Sequence, residues 1–252
     1  MGRASALLSR RALAFAALAA ALGAYYEVSE SLWSASVTWD IVFFAGVLVP
    51  AVFALVWLAL PAWRSRGTIV LGAAFAALAV AFVVSDLDVP ANFAKLGAMT
   101  FLAFWFLTFF ESAAWVALVA AIIPWVDAWS VWRGPTRDIV TKNEQLFGTL
   151  SIAFPEPGAR NGANLGLPDL MFFALFLAAA VRFKLRPRLS WLLMTASFGT
   201  TMALAVAFDV DGLPALPLLS AAFFLANGDL MWVRIRRPDL APDAGRQAAD
   251  TQ

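Results

Sequence analysis

The sequence predicts an all-α, polytopic membrane bundle of about eight helices, with nine as the alternative. Three observations predict it. First, 62% of the 252 residues are hydrophobic, 14% are charged, and the mean hydropathy is +0.78. An ordinary soluble domain is about 45–50% apolar and about 25% charged. Second, the apolar residues come in runs of about 17–22, the length a helix needs to cross about 30 Å of hydrocarbon at 1.5 Å per residue. Third, the segments between the runs alternate between basic and acidic, as the two sides of a membrane require.

The elements follow in order. Arg3, Arg10 and Arg11 precede an Ala-rich run that continues to Tyr26. It reads as a first membrane helix, with a secretory leader as the alternative. Further spans are predicted at Trp39–Leu60, Thr68–Val84, Ala91–Phe110 and Ala113–Trp132. A polar segment from Arg133 to Asn164 contains Pro155, Pro157, Gly158 and Gly162, and reads as a loop with a short strand around Leu146–Phe154. Three spans follow, at Leu165–Val181, Leu189–Phe208 and Leu213–Val233. The organisation is one transmembrane domain over 1–237 and a disordered polar tail over 238–252.

Charge placement sets the orientation. Arg64 and Arg66, then Arg182, Lys184, Arg186 and Arg188, then Arg234, Arg236 and Arg237 fall on the same side as the N-terminal arginines. That side is assigned to the cytoplasm, with both termini. The opposite loops carry Glu27, Glu30, Asp86, Asp88, Asp209 and Asp211 without Lys or Arg. The long loop carries Arg133, Arg137, Lys142 and Arg160, nearly balanced by Asp138, Glu144 and Glu156.

Cys and His are absent. This excludes disulfides, thiolate nucleophiles, Ser-His catalysis and Cys/His zinc sites. No cofactor, metal or nucleic-acid signal is present, so the expected partners are the bilayer and other membrane helices. A carboxylate inside a membrane is costly, by at least about 2.5–3.5 kcal/mol on insertion scales. Intramembrane acids are therefore candidates for function. Asp127 lies near the end of the fifth predicted span and Asp169 near the start of the sixth. The loop joins those two ends, so both carboxylates lie at similar depth near one face. Two facing carboxylates cannot both ionise easily and hold one proton between them, one acting as base and the other as acid. The plainer reading is that each Asp caps a helix end or faces the wet interface.

Gly212-Leu213-Pro214-Ala215-Leu216-Pro217 opens the last span. Two prolines disturb a helix, and irregular backbone at membrane depth persists only beside protein or a water-lined cavity. Its free backbone groups suit strand addition by an extended substrate. A proline-started interfacial helix is the alternative.

Together these pieces resemble the presenilin and signal peptide peptidase family of intramembrane aspartyl proteases. The order is Asp127, then Gly166-Leu167-Pro168-Asp169, then Pro214-Ala215-Leu216. Arg133-Gly134-Pro135-Thr136-Arg137 and Asp169-Leu170-Met171-Phe172-Phe173 are also similar to the family's text after each aspartate. The resemblance covers Ala113 to Trp232, the catalytic core of about 113–233. It implies that Asp127 and Asp169 are the catalytic pair. It also implies that Gly166, Leu167, Pro168, Pro214, Ala215, Leu216 and Pro217 shape the site and hold substrate, and that transmembrane helices are cut after local unwinding. Three departures stand out: Val126 replaces the usual aromatic residue, Pro168 replaces the motif's second glycine, and one span is missing at the N-terminus. The predicted orientation is that of signal peptide peptidase, which implies substrates with a cytoplasmic N-terminus. A non-catalytic helix-binding relative and a proton-coupled transporter or channel remain alternatives.

Among the other charges, Asp229 is expected to pair with Arg234 or Arg236, Lys95 to snorkel to the interface, and Glu111 to mark a turn. The eleven Trp residues read mainly as interface anchors, with Trp125, Trp129 and Trp132 also able to line the site.

Overall fold

The computed structural model describes residues 3–34, 36–133, 148–158, 163–207 and 213–236, leaving the side chains of 3–9, 132–133 and 206–207 aside. The chain is mostly helical. The helices are α1 (Arg3–Val28), α2 (Val37–Phe43), α3 (Val49–Ala59), α4 (Thr68–Val84), α5 (Asp88–Phe106), α6 (Ala113–Arg133), α7 (Leu167–Arg182), α8 (Pro187–Ala207) and α9 (Leu216–Arg236). Strands β1 (Ser151–Phe154) and β2 (Ala163–Gly166) lie between α6 and α7.

Among the described residues, five stretches are long and apolar enough to cross a membrane: Arg10–Ser31, Val37–Arg64, Asp88–Phe109, Ala113–Val131 and Leu216–Arg236. Thr68–Val84 is a shorter apolar helix. Large apolar side chains face outward along these stretches, among them Leu13, Val70, Val80 and Leu225. Such a surface suits lipid rather than water.

The second of these stretches is not a regular helix. A π-helical segment, Phe44–Leu48, joins α2 to α3. Pro50 follows at once and has no amide to give the preceding turn, so the hydrogen-bond ladder shifts there. The segment also fits closely against α8, where a Cβ on Gly199 would lie 2.8 Å from the Ala45 Cβ. Small residues let other backbones approach as well. A Cβ on Gly97 of α5 would meet the Phe75 ring of α4 at 2.8 Å, and one on Gly72 of α4 would meet Leu102 at 3.0 Å.

α7 is the centre of the bundle. Every residue from Phe173 to Ala180 is fully buried, so the helix is apolar all round rather than on one stripe. α5, α6, α8 and α9 pack around it. Aromatic rings lock it in place: Phe173 meets Phe53 of α3 at 3.9 Å between centroids, and Phe176 stacks on Phe223 of α9 at 4.8 Å. Polar contacts pin one end. Arg182 of α7 donates to the Leu107 carbonyl after α5. Arg186 grips Asp229 of α9 with two bonds, of 2.7 and 2.6 Å, and the Asn227 side chain accepts from its amide at 2.9 Å. The partner of Asp229 is thus Arg186, not the expected Arg234 or Arg236. Arg186 comes from the turn before α8, a neighbour in space that helix periodicity within α9 does not disclose. The Arg234 guanidinium instead donates to the Lys184 carbonyl at 3.1 Å.

Several boundaries move. The strand expected over Leu146–Phe154 is β1, Ser151–Phe154, and it pairs antiparallel with an unforeseen β2, with Ser151 opposite Gly166 and Phe154 opposite Ala163. The helix expected from Leu165 begins at Leu167 because β2 uses the two residues before it. The last helix begins at Leu216, three residues after Leu213, since Pro214 and Ala215 precede its first turn. Glu111 lies at the turn between α5 and α6, as expected. The tail 238–252, Asp209, Asp211, Gly212 and most of the basic residues of the long loop lie outside the described residues.

Candidate active site at two helix N-termini

Asp127 projects from the last third of α6, three residues after Pro124. A proline inside a helix leaves the carbonyl of the residue four earlier without its usual donor and bends the axis. α6 packs along α9, and this brings Asp127 to the start of that helix. The Leu216 amide donates to the Asp127 carboxylate at 3.1 Å. Leu216 is the first residue of α9, so its N–H is one of the four that a helix leaves unpaired. Ala215 and Leu216 are buried, while Pro214 and Pro217 are half-buried. Pro217 stands in the first helical turn, where its missing N–H removes no helical bond.

Asp169 is the third residue of α7. Its carboxylate accepts from the Gly166 amide, the residue that caps the helix. This is the return half of a capping box, in which an acid at the third position reaches back to the cap. A Cβ on Gly166 would lie 3.1 Å from the Asp169 Oδ2, so any larger residue there would push the carboxylate back by a few tenths of an ångström. Its dihedrals, φ −62° and ψ 144°, are open to any residue. Pro168 occupies the second helical position. There its fixed φ suits the helix and its absent donor is no loss to the ladder. Leu167 donates its amide to the Leu150 carbonyl at 3.0 Å, tying the helix start to the hairpin.

The two carboxylates lie within electrostatic reach of each other. Each accepts a helix-terminal amide, and two helix N-termini, with their partial positive charge, converge on the pair. The expected site residues therefore come together: Asp127 with Leu216, and Asp169 with Gly166 and Pro168. Trp125 and Trp129 remain mostly exposed, at 78% and 64%, and Trp132 has no described side chain. Among the described residues, no group of three or more acidic side chains gathers as a metal site.

The β-hairpin adds residues not singled out for this role from the sequence. Asn92 Oδ1 accepts from the Ala153 amide at 3.2 Å, and Lys95 Nζ donates to the Gly148 and Ser151 carbonyls at 2.8 and 2.9 Å. Lys95 is therefore buried at 7% exposure and does not snorkel. It stands seven residues inside α5 on the face turned to the hairpin, where two carbonyls replace the water it would otherwise seek. These bonds fix the parity of the sheet. Residues 151 and 153 direct their backbone away from β2, so 152 and 154 bond to Leu165 and Ala163. Asn164 and Gly166 then point their backbone groups to the outer edge. Gly166 gives its N–H to Asp169, and the exposed Asn164 has no backbone partner among the described residues. The sequence signals were an Asn and a Lys three residues apart on one face of an apolar helix.

Comparison with protein-family models finds no match, and comparison with curated proteins finds no similar sequence.

Proposed function

We propose that this protein is an intramembrane aspartyl protease that hydrolyses peptide bonds in the transmembrane helices of other proteins, with Asp127 and Asp169 as the catalytic pair. The observation that carries the reading is the meeting of three separated motifs at one point. Asp127, the Gly166–Asp169 turn and the Leu216 amide converge where two helix N-termini meet.

In the proposed reaction one carboxylate is ionised and the other protonated. The ionised carboxylate takes a proton from a water as the water oxygen attacks the scissile carbonyl carbon. The protonated one gives its proton to the carbonyl oxygen, forming a gem-diol. The first carboxyl then passes its proton to the amide nitrogen as the C–N bond breaks and the carbonyl re-forms. A carboxylic acid and an amine leave, and the second carboxylate regains the diol proton, which restores the starting state. A helical peptide bond is shielded by its own ladder, so the substrate must unwind. The outer edge of β2 at Asn164 leads directly into Asp169 and offers an unwound chain a backbone partner.

The membrane arrangement belongs to the same proposal. Adding α4, α7 and α8 to the five long stretches gives eight spans over 1–237. The Arg182–Arg188 turn and the Arg234 end of α9 meet at the face opposite the carboxylates. With that face cytoplasmic, the site lies towards the outer leaflet and substrates enter with a cytoplasmic N-terminus. A reporter fused at Gly148 reads non-cytoplasmic on this account, and a cytoplasmic signal there contradicts it.

A second reading is favoured by the same bonds. Both aspartates cap helix ends, which a non-catalytic helix-binding protein would also need. Asparagine separates the two, because its amide oxygen still caps but cannot exchange a proton. Purified Asp127→Asn and Asp169→Asn proteins that fold normally and cut nothing that the wild type cuts support the protease. Undiminished activity in either variant removes it.

A further inference from the structure

We propose that Lys95, seconded by Asn92, is a positioning residue that latches the β-hairpin to α5 and thereby fixes where an unwound substrate meets the carboxylates. The substrate part of this inference rests on the protease reading; the latch itself does not.

A buried ammonium is costly to hold in a membrane bundle, and one whose hydrogen bonds go to main-chain carbonyls is a poor means of adding stability. Lys95 is held this way, by the Gly148 and Ser151 carbonyls, at 7% exposure. Both carbonyls belong to the segment leading into and starting β1, so the contact spends its three-donor head on one strand edge. Asn92, one helical turn earlier, takes the next outward group of the same edge, the Ala153 amide. Between them they take the Ser151 carbonyl and the Ala153 amide, one outward group at each of the two outward positions of β1. The inner side of the strand is anchored separately, with Ile152 and Phe154 buried and Phe154 against Phe44 at 5.2 Å between centroids.

The consequence is directional. An unprotected hairpin offers two edges to an extended chain. Here α5 holds the β1 edge through Ser151 and Ala153, and among the described residues no backbone group pairs with the outer edge of β2 at Asn164. That edge is one short step from Asp169, through Gly166 and Pro168. Strand pairing has a two-residue period, so a hairpin held rigidly against α5 presents the bound chain in one register. A hairpin released from Lys95 slides or tilts, and the bond placed between Asp127 and Asp169 varies.

The test uses the full-length protein purified in detergent, in four forms: wild type, Lys95→Met, Lys95→Arg and Asn92→Ala. Methionine keeps the apolar stem and removes the donors; arginine restores donors. The first readout is amide hydrogen exchange without substrate. Residues 151–154 and 163–166 are expected to exchange at least about tenfold faster in Lys95→Met, with α8 and α9 unchanged. Asn92→Ala shows a smaller effect of the same pattern, and Lys95→Arg returns towards wild type. The second readout maps cut positions in a single-span helix by mass spectrometry. Lys95→Met raises KM more than it lowers kcat and spreads the cuts over neighbouring bonds.

Unchanged exchange in the hairpin, or acceleration spread evenly over the bundle, overturns the latch. Local acceleration with an unchanged cut pattern overturns its role in register. If the wild type cuts nothing while the hairpin loosens locally, the protease reading and the register role fail and the latch stands.

Discussion

Gly166→Ala separates the placing of Asp169 from the stability of the fold. The backbone at Gly166, φ −62° and ψ 144°, suits alanine. Replacing glycine at such a position reduces the freedom of the unfolded chain and stabilises by about 0.4–1 kcal/mol. The new Cβ would stand 3.1 Å from the Asp169 Oδ2, where ordinary contact begins near 3.4 Å, so the carboxylate must retreat by about 0.3 Å. That retreat also stretches the bond from the Gly166 amide. A misplacement of about 1 Å at a catalytic group costs about a hundredfold. A third of that, with a weakened charge-assisted hydrogen bond, gives an expected loss of about tenfold in kcat. Crowding and chain entropy oppose each other in the folding balance, so Tm shifts by less than about 4 °C. The assay pairs thermal unfolding in detergent with cleavage of a single-span helix, with Asp169→Asn as the inactive reference. Wild-type kcat in Gly166→Ala refutes the close approach of Gly166 to a working carboxylate. A large fall in Tm with unaltered activity per folded molecule assigns the glycine to packing instead.

Other predictions follow from the same geometry. Pro168→Gly removes the ring that fixes φ at the second helical position; it loosens the first turn of α7 by about 0.5–1 kcal/mol and leaves cleavage within about tenfold of wild type, measured by calorimetry and initial rates. A complete loss of cleavage would mean that the proline, not the helix start alone, sets Asp169. Glu156 lies outside the membrane stretches, and burial, then the nearby Asp40 charge, hold its pKa above the usual carboxylate value. Its raised folded-state pKa contributes stability that is full below the unfolded value of 4.5 and is lost as pH rises through the folded one. Glu156→Gln should flatten this part of the stability profile, read from Tm against pH, and raise Tm at neutral pH; an unchanged profile contradicts the burial. Gly97→Ala drives a Cβ to 2.8 Å from the Phe75 ring and should cost about 1–3 kcal/mol of stability, checked by Tm.

Much of this arrangement was legible in the sequence, because membrane helices announce themselves by length and apolarity. The stretch Ala113–Trp132, the Gly166–Asp169 turn and the Pro214–Pro217 entry can each be located from the sequence alone. The convergence of Asp127 with Leu216 is different in kind. It needs α6 to lie along α9, and no local pattern in either helix states which partner it chooses. β2 was hidden because Ala163-Asn164-Leu165-Gly166 has little strand preference alone. It becomes a strand through its pairing with β1 and the anchoring of β1 on Asn92 and Lys95. Lys95 departs from the expected snorkel for a physical reason. A lysine near the end of an apolar helix ordinarily reaches for water, and only a carbonyl-rich neighbour such as the Gly148–Ser151 segment reverses that. Asp229 shows the same limit, since its partner Arg186 is 43 residues away in sequence.

Whether Asp127 and Asp169 cut a peptide bond is decided by cleavage of a single-span helix by the purified protein. Wild type, Asp127→Asn and Asp169→Asn are compared in one detergent across pH, with mass spectrometry of the products. Wild type is expected to yield a new C-terminal acid and a new N-terminal amine, and the two variants neither, while unfolding at temperatures close to that of wild type. Cleavage that persists in either variant, or no cleavage by wild type across several helices and pH values, contradicts the catalytic pair.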